Sequence, residues 1–213
     1  MALNNLLGFG NPDAKYIFCI IEEGGIWDLN KDDDKSLLDF YKRDKKKYYT
    51  NEDLIIALGD DFYQRKFGII NSPVYRLISK FFNSEITLQD IGSIQKDIFI
   101  MNLYPLANKN IKDEYPKSYE DIFGVSCRDD YKTSYFKERR SLIKKFFNKM
   151  DRKIILMGKA NWHIYKLLYS EVTDWQEKNY CEYAVTSNNL IVLTPHPRFF
   201  RFTAEHLKSI INI

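Results

Sequence analysis

The sequence predicts one α/β domain built on a parallel sheet. Three observations predict it. Four short apolar runs recur along the chain, each ending in glycine, proline or polar residues, as strands buried on both faces do. Helical patterns separate these runs. One of the junctions, Lys153 to Gly158 followed directly by Lys159 to Tyr169, has the strand–glycine–helix order of a right-handed crossover.

Length and composition agree with a folded domain. The chain has 213 residues, of which 45% are hydrophobic and 15% aromatic, enough to bury a core. Its net charge of +3 does not by itself demand a nucleic acid partner. Cys19, Cys127 and Cys181 lie far apart and form no CxxC pair, which points away from a zinc knuckle or a disulfide framework and towards a reduced, cytoplasmic setting. No stretch approaches the 18 or so apolar residues of a membrane span, and residues 1–5 lack the basic start of a secretory leader.

The first strand is expected over Lys15 to Ile21, after the turn-rich Gly8 to Ala14. It runs into Glu22-Glu23-Gly24-Gly25, two acids and two glycines at the carboxyl end of a buried strand, where α/β proteins tend to hold ligands. Asp34 to Lys46 is expected as a solvated helix, with acids Asp32 to Asp34 first and Lys42 to Lys47 last, in keeping with the helix dipole. Helices are expected over Asn51 to Gln64 and, with proline in the first turn, over Pro73 to Phe82, then over Thr87 to Gln95. Between them Phe67 stands beside Gly68, placed to stack on a base.

The second strand, Asp97 to Met101, is expected to stop at Asn102, a side chain that can both donate and accept along a base edge. Residues 107–128 look irregular. Ser134 to Met150 reads as a basic helix whose Arg139, Arg140, Lys144 and Lys145 are assigned to the surface. The fourth strand, Leu190 to Thr194, stops at Pro195-His196-Pro197, which holds an imidazole on pre-set backbone. Arg198, Phe199, Phe200 and Arg201 follow at once, and Thr203 to Ile213 closes as a helix.

In a parallel sheet the carboxyl ends of all strands share one edge, so Glu22 or Glu23, Asn102 and His196 are expected to converge there. An acid, an amide and a histidine suit cleavage of an N-glycosidic bond. The acid would activate a water and stabilise the sugar cation, the amide would read the base, and the histidine would hydrogen-bond the departing base as negative charge builds on its oxygen. Phe199 or Phe200 would fill the gap left by a flipped base, with Arg198 and Arg201 against the backbone phosphates.

The chain resembles the uracil-DNA glycosylase superfamily. The residues that carry the resemblance are Gly10-Asn11-Pro12-Asp13-Ala14-Lys15, Ile21-Glu22-Glu23-Gly24-Gly25, Ile100-Met101-Asn102, Met157-Gly158-Lys159-Ala160 and Thr194-Pro195-His196-Pro197, in matching order over nearly the whole chain. The first two are similar to the opening motifs of the bacterial and archaeal iron–sulfur branch. The resemblance implies a three-layer α/β/α sandwich around a four-stranded parallel sheet, acting as a monomer on DNA with the target base flipped out, and needing no cofactor or metal. By position, Glu22 (or Glu23) is the water-activating acid, Asn102 reads the pyrimidine edge and His196 stabilises the leaving base. The chain departs from the pattern at Ile21 in place of glycine, at Gly24 in place of proline, and at Arg198 in place of a serine that pinches the DNA backbone. It lacks the clustered cysteines, so no iron–sulfur cluster is expected. The charged segment from Asp28 to Lys47 has no counterpart.

The expected function is removal of uracil or a related damaged or modified base from DNA. Two alternatives differ in observable ways. A non-catalytic nucleic-acid-binding member of the fold would keep the surface and lose the chemistry. A nucleoside or nucleotide hydrolase needs no wedge and would pack Phe199 and Phe200 inside the core.

Overall fold

A computed structural model describes residues 6–24, 30–62, 73–83, 96–108, 114–149 and 151–212. The fold is mixed α/β. Its strands are β1 (Gly8–Gly10), β2 (Tyr16–Gly24), β3 (Tyr48–Tyr49), β4 (Ile98–Asn108), β5 (Arg152–Met157), β6 (Gln176–Lys178), β7 (Cys181–Val185) and β8 (Asn189–Thr194). They form one eight-stranded sheet in the order β3-β1-β4-β2-β5-β8-β7-β6. The sheet is mixed, which corrects the expectation of a four-stranded parallel one. Parallel pairing runs through β4, β2, β5 and β8 at the centre, while β1 joins β4 and β7 joins β8 antiparallel.

Among the described residues, four strands are added to the expected ones: β1, β3, β6 and β7. β3 has two residues and β6 is exposed throughout, so neither carries a buried apolar run, whereas β7 is largely buried and its Cys181–Val185 run escaped the sequence reading. A short, charged, exposed edge strand such as β6 discourages pairing with other chains.

The helices are α1 (Asp32–Asp44), α2 (Asn51–Leu58), α3 (Pro73–Phe81), α4 (Ser118–Phe123), α5 (Arg128–Phe147), α6 (Trp162–Leu168) and α7 (Ala204–Ile211). α2 opens with a capping box, Thr50 Oγ1 accepting from the Asp53 N–H at 3.1 Å and Asp53 accepting from the Thr50 N–H at 2.8 Å. It breaks at Gly59, and residues 60–62 are helical again, with Gln64 outside the described residues. α5 begins at Arg128, earlier than expected, and α4 lies in the segment read as irregular. The helix expected over Thr87 to Gln95 lies outside the described residues.

Alternation along the central strands divides the core in two. Ile17, Cys19, Phe99, Met101, Ile154 and Leu156 face α1, α2, α5 and α6. Phe18, Ile98, Ile155, Met157 and Val192 face α3 and α7. Two charged residues assigned to the surface belong instead to the interior: Asp34 and Arg139 are both buried. Arg139 donates to the Leu6 carbonyl at 2.6 Å and the Leu103 carbonyl at 3.3 Å, and also to the Tyr135 hydroxyl. Burial pushes the thiols of Cys19 and Cys181 up to about 12, so both are poor nucleophiles.

β1 approaches β4 so closely that only glycine fits. Gly10 has φ +107°, and a Cβ there would sit 2.7 Å from the Ile98 carbonyl oxygen. Gly10→Ala is expected to cost roughly 1–3 kcal/mol. Urea denaturation should show a lower midpoint with an unchanged slope.

Candidate active site at the carboxyl edge of the sheet

One row of paired residues crosses the four central strands: Met101, Cys19, Leu156 and Leu193. It provides a common origin. Asn102 lies one residue beyond it on β4, Glu22 three beyond on β2, and His196 three beyond on the segment leaving β8. Neighbouring strands are about 4.8 Å apart, so β2 and β8 are separated by about 10 Å and β4 and β8 by about 14 Å.

The expectation that β2 and β4 stop at Ile21 and Met101 is corrected. β2 continues to Gly24 and β4 to Asn108, whereas β5 and β8 stop at Met157 and Thr194. The long pair therefore projects past the short pair and leaves a step at this edge. The β2–β4 register shifts between Glu22, opposite Tyr104, and Gly24, opposite Asn108. Pro105 lies in the shifted stretch of β4, and having no N–H it cannot extend the ladder.

Asn102 is half-buried, at the level where β5 ends. Its Oδ1 is buried and makes no hydrogen bond among the described residues. An amide oxygen left without a partner in the interior costs about 1–3 kcal/mol, so a ligand that donates to it gains that much. Strand alternation puts Asn102 on the same face as Ile98 and Ile100, towards α3 and α7.

His196 stands on a well-braced loop. The Thr194 carbonyl accepts from the Gly158 N–H at 2.9 Å and from Trp162 Nε1 at 3.0 Å, and Pro195 is buried. After the histidine, the Phe199 N–H donates to the His196 carbonyl at 2.8 Å, and the Phe202 N–H to the Phe199 carbonyl at 2.9 Å. Phe202 then enters the core beside α7. The Arg198 N–H donates to His196 Nδ1 at 3.1 Å. In the neutral ring that leaves the proton on Nε2, which becomes the outward donor.

His196 is exposed at the surface, with its ring only partly desolvated by the protein beside it. That desolvation, and secondarily the charge of Arg198, lowers its pKa below the ordinary 6.5. The neutral ring is thus favoured at neutral pH. As pH falls from 6.5 through the depressed value, the unfolded chain takes up the proton more readily than the folded one, and His196 withdraws stability. Replacing the charge in Arg198→Gln is expected to raise this pKa while leaving it below 6.5, since burial is the larger cause. An NMR titration of ¹³C-labelled histidine measures it.

The backbone of Glu22 and Glu23 lies in β2, and their side chains lie outside the described residues, as does Phe67. Arg198 and Arg201 are exposed, Phe199 is 38% exposed and Phe200 81% exposed. Phe200 lies under the Arg201 guanidinium, 5.2 Å from ring centroid to Cζ. Two residues at this edge escaped the sequence reading. Lys159 follows the end of β5 with its ammonium 5.2 Å from the Trp162 ring, a cation signalled only by the Gly158-Lys159 junction. Trp162 is buried, and beyond packing in the core its indole N–H fixes the carbonyl before Pro195.

Among the described residues no cluster of three or more His, Cys, Asp or Glu is arranged to hold a metal. No helix described is long and apolar enough to cross a membrane. A cavity of about 240 Å³ beside α5, lined in part by Cys127, Tyr131 and Tyr135, includes none of the candidate residues. A scan of the sequence against protein-family models finds no match, and no curated protein matches it.

Proposed function

We propose that this chain is a DNA glycosylase that hydrolyses the N-glycosidic bond of uracil or a related damaged or modified base, flipped out of DNA. The observation that carries the reading is the buried Oδ1 of Asn102, without a hydrogen-bond partner among the described residues, at the same sheet edge as His196, whose Nδ1 is held by the Arg198 N–H. The Asn102 oxygen would accept from an N–H on the base edge. The Nε2–H of His196 would donate to the base oxygen that gains charge as the bond to the sugar breaks. Glu22, or its neighbour Glu23, would hold the attacking water and face the oxocarbenium-like sugar. The bond from C1′ to the base nitrogen breaks, water adds at C1′, and its proton passes to the carboxylate.

The proposal includes the finer architecture, a three-layer sandwich of the uracil-DNA glycosylase type with β4, β2, β5 and β8 as its parallel centre. It also includes action as a monomer on DNA in the cytoplasm, without a cofactor. Free thiols at Cys19, Cys127 and Cys181 are in keeping with a reducing compartment. The exposure of Phe199 and Phe200 disfavours the nucleoside hydrolase alternative, which called for both rings in the core; Phe202 takes that place.

The test is a cleavage assay. Labelled oligonucleotides carrying uracil, hypoxanthine, xanthine or modified cytosines are incubated with the protein, then treated with alkali to break abasic sites. Cleavage of one substrate, lost in His196→Ala and in either Glu22→Gln or Glu23→Gln, supports the reading and assigns the acid. Salt-dependent DNA binding with no cleavage of any substrate overturns it in favour of a binding protein.

A further inference from the structure

The tip of the β6–β7 hairpin carries a residue that its backbone does not favour. Asn179 and Tyr180 link the two strands with φ of 51° and 69°. Two successive positive φ values make a tight primed hairpin turn, whose second position is ordinarily glycine. A bulky aromatic there is strained, and strain of this kind persists where the surroundings hold it. Here they do. Asn179 Nδ2 donates to Ser209 Oγ at 2.8 Å, and Lys178 Nζ donates to the Ser209 carbonyl at 2.9 Å, pinning the hairpin to α7.

The strained ring is presented rather than hidden. Tyr180 is 51% exposed. It stands edge-on to Phe199 with centroids 5.9 Å apart, and Phe199 is 5.6 Å from Phe200, which lies under Arg201. Three open aromatic rings thus run from the hairpin to the segment after His196, flanked by Arg198 and Arg201. Tyr180 also stands edge-on to His206, with centroids 5.7 Å apart, and the Glu205 carboxylate pairs with Lys208 at 3.1 Å.

We propose that Tyr180, Phe199 and Phe200 form a stacking platform for unpaired bases, so that the preferred substrate strand is single-stranded next to the target. The inference rests on the reading of the His196 loop as a DNA site. The chemistry selects the partner. Rings recognise base faces, and a duplex hides its base faces within its own stack, while an unpaired strand offers both faces and phosphates for the arginines.

Tyr180→Gly tests this without threatening the fold, because glycine relieves the left-handed conformation. Its melting temperature should equal or exceed that of the unsubstituted protein. Anisotropy of a labelled, unmodified oligonucleotide should show the single strand bound more tightly than the duplex. The variant should weaken single-strand binding by about 5- to 100-fold. Tyr180→Phe should retain it. Equal single-strand affinity in Tyr180→Gly and the unsubstituted protein overturns the platform, as does a preference for duplex. Base release, measured separately on modified substrates, keeps the two readings apart. Platform binding without any release sinks the glycosylase reading alone. Release with no effect of Tyr180→Gly on binding sinks the platform alone.

Discussion

His196→Ala is expected to slow base release by about 10²–10³-fold, the scale for losing one donor aimed at developing negative charge. The loss should fall on the chemical step. In single-turnover assays with saturating protein the rate should drop, while the affinity for an unmodified strand stays within a few-fold. The geometry sets a second signature. Because Nδ1 is held by the Arg198 N–H, the useful donor is Nε2–H of the neutral ring, and the depressed pKa keeps it neutral at physiological pH. The rate should therefore be level around pH 7, with no loss assigned to His196 until the pH drops below 6.5. An unchanged rate in His196→Ala would remove the histidine from the mechanism.

The second large effect is on stability. Arg139→Ala is expected to cost about 3–5 kcal/mol, combining a lost charged donor to three oxygens with the void left by its side chain. Those oxygens, the carbonyls of Leu6 and Leu103 and the hydroxyl of Tyr135, join the segment before β1, the middle of β4 and α5. The guanidinium also lies 4.6 Å from the centroid of the Tyr135 ring. Burial opposes its charge and lowers its pKa, an opposing contribution that its hydrogen bonds must exceed. Arg139→Met, which fills the space without donating, separates the two effects and should lie between the alanine variant and the unsubstituted protein. Chemical denaturation decides. A cost below about 1 kcal/mol for Arg139→Ala would mean that the hydrogen bonds merely balance desolvation.

Arg139 also marks where sequence reasoning stops. In α5 it is one of several basic residues, and only the tertiary fold shows that it faces the sheet rather than water. Asp34 is similar, an acid in the first turn of α1 that is buried. The apolar runs of β2, β4, β5 and β8 were legible because strands buried on both faces carry continuous hydrophobic sequence. Their carboxyl ends were less so. Pro105 reads as a terminator, yet β4 absorbs it by a register shift and continues to Asn108. Edge strands such as Gln176–Lys178 have no apolar signature at all. At the site, Asn102 and His196 could be picked out because polar residues following apolar runs stand out. Tyr180 could not, since an Asn-Tyr turn lacks the glycine that advertises a hairpin.

The order of strands in the sheet also dictates when it can assemble. β2, at residues 16–24, lies between β4, at 98–108, and β5, at 152–157, and β5 waits in turn for β8, at 189–194. A ribosome therefore releases the innermost strand long before either neighbour exists. Until β8 arrives, β5 offers an open, apolar edge to any other strand in reach. Pairings this distant along the chain are expected to slow folding and to leave a half-built sheet open to aggregation in nascent or truncated chains.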